Sequence, residues 1–150
     1  NLYGPGDNFD LQASHVLPAF IRRFVEGVET KATSVTLWGS GAPLREFLHV
    51  DDLAKAVVLT SQSYDSSLHL NVGSGEDLSI KELALLIASL TGFKGEIIWD
   101  TAKPDGTPRK TLDVSRIKAL GWKPTIRLED GIASTIAWYK AASQQGEARK

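Results

Sequence analysis

The 150-residue sequence contains no cysteine and no methionine. Without thiols it cannot build a disulfide framework or a thiolate metal site, so stability must come from packing and polar bonding. Long hydrophobic runs are missing too. Leu83-Ala84-Leu85-Leu86-Ile87-Ala88 is far shorter than the roughly 20 apolar residues that cross a bilayer, and the opening residues do not read as a secretory signal. A cytoplasmic protein is expected. No excess of one charge exists: 17 Lys and Arg stand against 18 Asp and Glu, a net charge of -1. Such a chain has no long-range field for nucleic acid or an anionic membrane, and any anion must be bound by individually placed cations.

Two chemical signatures are also absent. Gly39-Ser40-Gly41 and Gly73-Ser74-Gly75 are too short for a glycine-rich dinucleotide fingerprint, and neither sits in a complete βαβ unit with a downstream ribose acid. Tyr3, Tyr64 and Tyr139 each lack a lysine four residues on, so no Tyr-x-x-x-Lys pair is available for hydride chemistry. Asp51-Asp52 has no ligand spacing for zinc or calcium, and no metal site is expected.

What remains is ordinary globular composition, 42% hydrophobic and 23% charged, enough for one domain with a core. Five helices are expected. The first begins between Ser14 and Pro18 and carries Phe20, Ile21 and Phe24, because proline is tolerated in a first turn. The second is capped by Asp51 or Asp52 and carries Leu53, Ala56, Val57 and Thr60. The third is announced by a capping box, Ser79-Ile80-Lys81-Glu82, with Leu78 and Leu83 placed as a hydrophobic staple and a stop near Gly92. A short helix follows Asp113 and ends at Leu120-Gly121. The last runs from about Leu128 to Tyr139. Short strands at Val35–Trp38, Glu46–Val50, Leu68–Val72 and Glu96–Trp99 alternate with these helices, which predicts a small α/β unit. Asp100–Arg109 reads as a loop, and Ala142–Lys150 as a polar tail.

Several side chains can carry chemistry, each beside a plainer reading. His15 can exchange protons near neutrality or be a solvated histidine at a helix start. One of Arg22 and Arg23 can meet phosphate through its planar fork; neighbours on a helix point about 100° apart, and spacing does not choose between them. Arg45 can do the same, or pair with Glu46. Trp38 is a flat wall for a base or sugar, or a core strand residue. Asp105 and Lys110 are ligand contacts or parts of an exposed charged turn. Tyr3-Gly4-Pro5-Gly6 is a turn on its own φ preferences. His49 and His69 sit in apolar strand contexts and read as structural.

Four motifs together carry a resemblance: Asn1-Leu2-Tyr3-Gly4-Pro5-Gly6-Asp7-Asn8, Ser14-His15-Val16-Leu17-Pro18, Pro43-Leu44-Arg45-Glu46-Phe47-Leu48-His49-Val50-Asp51-Asp52 and Lys103-Pro104-Asp105-Gly106-Thr107-Pro108-Arg109-Lys110. From Asn1 to about Lys140 the chain resembles the C-terminal portion of the GDP-L-fucose synthase family, NADP-dependent epimerase/reductases of the extended short-chain dehydrogenase/reductase superfamily. The resemblance implies an α/β substrate-binding domain with about five helices and short strands, 1–140, followed by a polar tail, 141–150. The N-terminal dinucleotide-binding Rossmann domain, with its Ser/Tyr/Lys set, would lie outside these residues. It assigns acid/base catalysis of the epimerisation to His15, cofactor contact to Asn1 and Leu2, and nucleotide-sugar binding to Arg23, Trp38, Arg45, Asp105 and Lys110. It further implies NADP held mainly by the other domain, a homodimer, and conversion of GDP-4-keto-6-deoxy-D-mannose to GDP-L-fucose. The second acid/base of the family is a cysteine in that other domain. Two alternatives stay open: another nucleotide-sugar epimerase or dehydratase, and a non-catalytic nucleotide-sugar-binding fragment.

Overall fold

The computed structural model describes residues 1–148. A two-residue strand, β1 (Leu2–Tyr3), precedes helix α1 (Val16–Glu29). Leu17, Phe20, Ile21, Phe24 and Val25 recur at helical spacing and form one buried stripe on α1. Strand β2 (Ser34–Trp38) alternates, with Val35 and Leu37 buried and Thr36 and Trp38 outward. Two short strands follow, β3 (Leu44–Arg45) and β4 (Leu48–His49), and then helix α2 (Val50–Ser63). Next come β5 (Leu78–Ser79), α3 (Ile80–Thr91), β6 (Glu96–Asp100), β7 (Arg109–Lys110), the short α4 (Ser115–Ala119) and α5 (Leu128–Gln145).

The strands form three small sheets. β1 pairs parallel with β4, and β2 pairs parallel with β6 from Ser34↔Glu96 to Trp38↔Asp100. β3 lies between β5, antiparallel, and β7, parallel. The main core gathers α1, α3 and α5 against the inner face of β2, through Phe9, Leu17, Ile21, Phe24, Leu37, Leu83, Ile87 and Tyr139. Phe9 and Tyr139 meet with ring centroids 4.4 Å apart. A second cluster joins Leu48, Ala56, Val114, Ile117 and Trp122. No helix of the described residues is long and apolar enough to cross a membrane, and no group of three potential ligands among them is placed to hold a metal ion.

Helix α3 starts as the sequence dictates. Ser79 Oγ accepts from Glu82 N at 3.1 Å, the Glu82 carboxylate accepts from Ser79 N at 2.7 Å, and Gly92 ends the helix in the left-handed region. Ser79→Ala is expected to cost about 1 kcal/mol, a fall of about 3 °C in Tm for a chain of this size. An unchanged thermal midpoint would mean that the cap adds nothing.

Other elements differ from the sequence reading. Leu68–Val72 forms no strand; no described strand pairs with it, Leu68 is exposed, and His69 is exposed rather than buried in a strand. Of the expected strand at Glu46–Val50 only Leu48–His49 is a strand: Glu46 and Phe47 have no ladder partner, and Val50 already belongs to α2. Helix α2 is capped by His49, whose Nδ1 accepts from Asp51 N at 3.2 Å, and not by Asp51 or Asp52. Asp52 is committed elsewhere: it accepts from Thr125 N, Ile126 N, Thr125 Oγ1 and Lys55 Nζ. The residue at the cap of α4 is Val114, while Asp113 accepts from Ser115 N one position away. Finally, α5 continues to Gln145 and Ala142 and Ala148 are buried, so 141–148 belongs to the body and not to a tail. Residues 149–150 of the expected tail lie outside the described residues.

Candidate functional site

The parallel pairing of β3 with β7 sets Leu44 against Arg109 and Arg45 against Lys110. Two cations therefore stand side by side, an arrangement that destabilises a sheet unless something of opposite charge meets it. Arg109 has its own acid, Asp77, at 2.6 Å, with Thr111 on the same carboxylate. No described carboxylate lies within ion-pair distance of Arg45 or Lys110. The Arg45–Glu46 pair that adjacency allowed does not form. Strand alternation sends the two side chains to opposite faces, and Arg45 instead donates from Nη1 to its neighbour's carbonyl, Leu44 O, at 2.8 Å.

The loop 101–108, exposed throughout, crosses beside this pair. A Cβ placed on Gly106 would stand 3.7 Å from Arg45 Nη2. The loop is fastened at Asp105, whose carboxylate accepts from Ser40 N at 2.6 Å and Ser40 Oγ at 2.7 Å. The Ser40 N–H and then its hydroxyl hold this carboxyl below its usual value. Gly39, at φ +81°, is required here both by its left-handed backbone and because a Cβ would collide with the Asp105 carboxylate. Trp38 is 57% exposed, which places it at the surface and not in the core. Lys103 Nζ stands 5.3 Å from the centre of its ring.

At the other end of β3, Asn1 Nδ2 donates to Glu46 O at 2.9 Å, and Leu2 pairs with Leu48 and is 47% exposed. Asn1, Trp38, Arg45, Asp105 and Lys110 are thus linked through β3, β7 and one loop. His15 and Arg23 are not joined to that group by any hydrogen bond among the described residues; Arg23 lies on α1 and His15 immediately before it. His15 is the exposed N-cap of α1, and its imidazole makes no capping bond, so the ring nitrogens are not spent on the helix. Its position is set by Asp10, which accepts from Gln12 N, Ala13 N and Ser14 N. The neighbouring arginines differ in their partners. Arg22 is bonded to Glu26 at 2.8 Å and to Phe9 O at 3.2 Å, whereas Arg23 has no ionic partner among the described residues.

Sequence reasoning missed Ser40 and Lys103, which hold the loop, and Glu46, buried behind Arg45. A separate cleft of about 710 Å³ lies between Phe47–His49 and 121–128 and contains none of the expected site residues; a shallower one, about 190 Å³, is lined by Leu2 to Asp7 and Val50.

Comparison with known proteins bears on this geometry. Residues 1–73 match the model of the NAD dependent epimerase/dehydratase family. The probable GDP-L-fucose synthase 1 of Oryza sativa subsp. japonica is 55% identical over 139 residues, covering 93% of this chain and 42% of that protein. The GDP-L-fucose synthase of Escherichia coli (strain K12) is 49% identical, covering 93% of this chain and 46% of that protein. A crystal structure of a GDP-L-fucose synthetase from Naegleria fowleri bound to NADP superposes over 100% of this chain and 47% of its own, with a TM-score of 0.91 and 32% identity. The chain therefore spans less than half the length of these relatives.

Proposed function

We propose a role for a chain that is, over 93% of its length, a homologue of the GDP-L-fucose synthases: it supplies the nucleotide-sugar side of an NADP-dependent epimerase/reductase that converts GDP-4-keto-6-deoxy-D-mannose to GDP-L-fucose. The observation that carries this reading is the Arg45–Lys110 pair, in register on adjacent strands and without a described acid partner. A diphosphate is the ligand that such a pair fits, since planar and point cations together can meet its oxygens. Trp38 offers its exposed face to a base or sugar, and Arg23 adds a third cation from α1. The Asp105 loop borders the pair, held down by Ser40.

In this reading His15 is an acid/base of the epimerisation. The C4 carbonyl of the keto sugar acidifies the hydrogens at C3 and C5; a base removes each and an acid returns a proton to the opposite face. A histidine whose nitrogens are not spent on capping suits that exchange. The reduced cofactor, NADPH, would supply the hydride for reduction at C4, leaving NADP+. These 150 residues hold no glycine-rich loop to bind it, so its binding falls mainly to a dinucleotide-binding domain, with Asn1 and Leu2 at its edge. By the same family reading, these residues form the nucleotide-sugar domain, α5 included to its end at Gln145, and the complete protein works as a cytoplasmic homodimer.

The test is calorimetric titration of the chain with GDP, UDP and NADPH in parallel. Selective binding of GDP is the expected result; equal binding of NADPH, or none of GDP, overturns the assignment. Because neither a Tyr-x-x-x-Lys pair nor a dinucleotide fingerprint occurs in the sequence, the purified chain with NADPH and the keto sugar should show no conversion, and measurable turnover would refute that expectation.

A further inference from the structure

We propose that Glu46 is a positioning residue for the Arg45–Lys110 pair, an inference that rests on the nucleotide-sugar reading of those two cations. Glu46 is 2% exposed, and no described cation lies within ion-pair distance of it. A buried carboxylate without a counter-ion is costly. What meets the carboxylate is a set of neutral donors from the two sides of β3, the segment after β7 and the turn before β5. Oε1 accepts from Leu112 N at 3.1 Å, two residues beyond Lys110. Oε2 accepts from Gly75 N at 2.9 Å and from Ser74 Oγ at 3.5 Å, in the turn that leads to β5. The main-chain carbonyl takes Asn1 Nδ2. Gly73 leaves room for the group, since a Cβ there would come within 2.7 and 2.8 Å of the two carboxylate oxygens.

This one side chain therefore ties β3 to the segment after β7 and to the approach to β5, from the face opposite Arg45. Its bonds decide how β7 sits against β3, and hence where the Lys110 amino group stands relative to the Arg45 guanidinium. Its charge acts in the other direction. A negative group behind the two cations eases their repulsion while the site is empty and weakens their pull on an anion. The two effects predict opposite outcomes for Glu46→Gln. Removing the charge alone would tighten anion binding; losing the registry would weaken it. Across a strand and toward a solvated site the charge effect is screened, whereas two-point capture of a diphosphate is sensitive to small misplacements. The registry effect should win.

The experiment is a double-mutant cycle read by GDP titration of the chain at fixed salt, with folding of each variant checked by thermal unfolding. Glu46→Gln is expected to weaken GDP binding about tenfold, and to weaken it no further when Arg45 is already alanine, because a residue that acts through Arg45 has nothing left to position. Leu112→Pro, which removes the donor on the β7 side and leaves Glu46 in place, should give a smaller loss in the same direction. Additive losses, undiminished binding or tighter binding in the folded variants would overturn the proposal. Failure of both variants to fold would also overturn it, by assigning Glu46 to stability. If the wild-type chain binds no GDP, it is the nucleotide-sugar reading that falls; if it binds and the cycle is additive, only the role of Glu46 does.

Discussion

Replacing Asp52 with alanine is expected to lower folding stability by about 3 kcal/mol, with a loss of that size visible as a shift of the urea midpoint. Asp52 is fully buried and takes four hydrogen bonds: from Thr125 N at 2.9 Å, Ile126 N at 2.8 Å, Thr125 Oγ1 at 2.8 Å and Lys55 Nζ at 3.0 Å. Truncation strands two main-chain donors at once and unfastens the segment that enters α5, and each orphaned group costs about 1 to 3 kcal/mol. Burial by itself would raise this carboxyl, but the bonds from Ile126, Thr125 and Lys55 outweigh it and push the pKa down to about 2. A carboxylate whose pKa is lower in the folded state gives stability that is complete above its unfolded value, near 4, and is lost as the pH falls toward 2. The wild-type chain should therefore lose about 2 kcal/mol from this group across that window. Asp52→Asn should be less stable at pH 7 and should show a correspondingly flatter acid limb. A limb of unchanged slope would show that the charge on Asp52 does not matter to folding, and an alanine variant within 1 kcal/mol of wild type would show that the bonds do not.

Asp52 also shows where sequence reading stops. The pair Asp51-Asp52 before a run of Leu53, Ala56 and Val57 has the local pattern of an N-cap, and a helix does begin there. The cap itself is His49, because Asp52 is required 73 residues away at Thr125. Helix α3 was fully legible because its signal is local: the two halves of the capping box are three residues apart. Short apolar segments between helices likewise placed β2 and β6, but they could not say which face of β2 is solvated, and so left Trp38 open between wall and core. Leu68–Val72 has the composition of a strand, yet a strand exists only through a partner, and no described strand pairs with it. Arg22 and Arg23 are indistinguishable by spacing. Their difference lies in Glu26, one turn on, which could have been found, and in Phe9 O, which could not. The Asp105–Ser40 contact spans 65 residues, and nothing near either residue announces it. The inward turn of Glu46 did have a signal, since a strand that aims Arg45 outward must aim its neighbour inward.

Arg45→Ala is expected to reduce GDP affinity about 10- to 100-fold, the loss that follows from removing charge-assisted hydrogen bonds of about 1.5 to 3 kcal/mol. Among the described residues the Arg45 side chain makes one hydrogen bond, to Leu44 O within its own strand, so its remaining donors are uncommitted there, and truncation should leave the fold intact. Lys110, its neighbour across β7, is a point charge with no fork, and Lys110→Ala should cost less. Arg45→Lys then separates charge from shape: if the site needs only a cation, lysine restores binding; if it needs two parallel N–H groups on phosphate oxygens, most of the loss remains. The paired-strand geometry favours the second outcome, because Lys110 already supplies a point charge beside it. Titrations at several salt concentrations provide the internal control. Removal of either cation should flatten the salt dependence of GDP binding as well as weaken it. An alanine variant that binds GDP as tightly as wild type would place the diphosphate elsewhere, and Arg23 on α1 would become the cation to replace next.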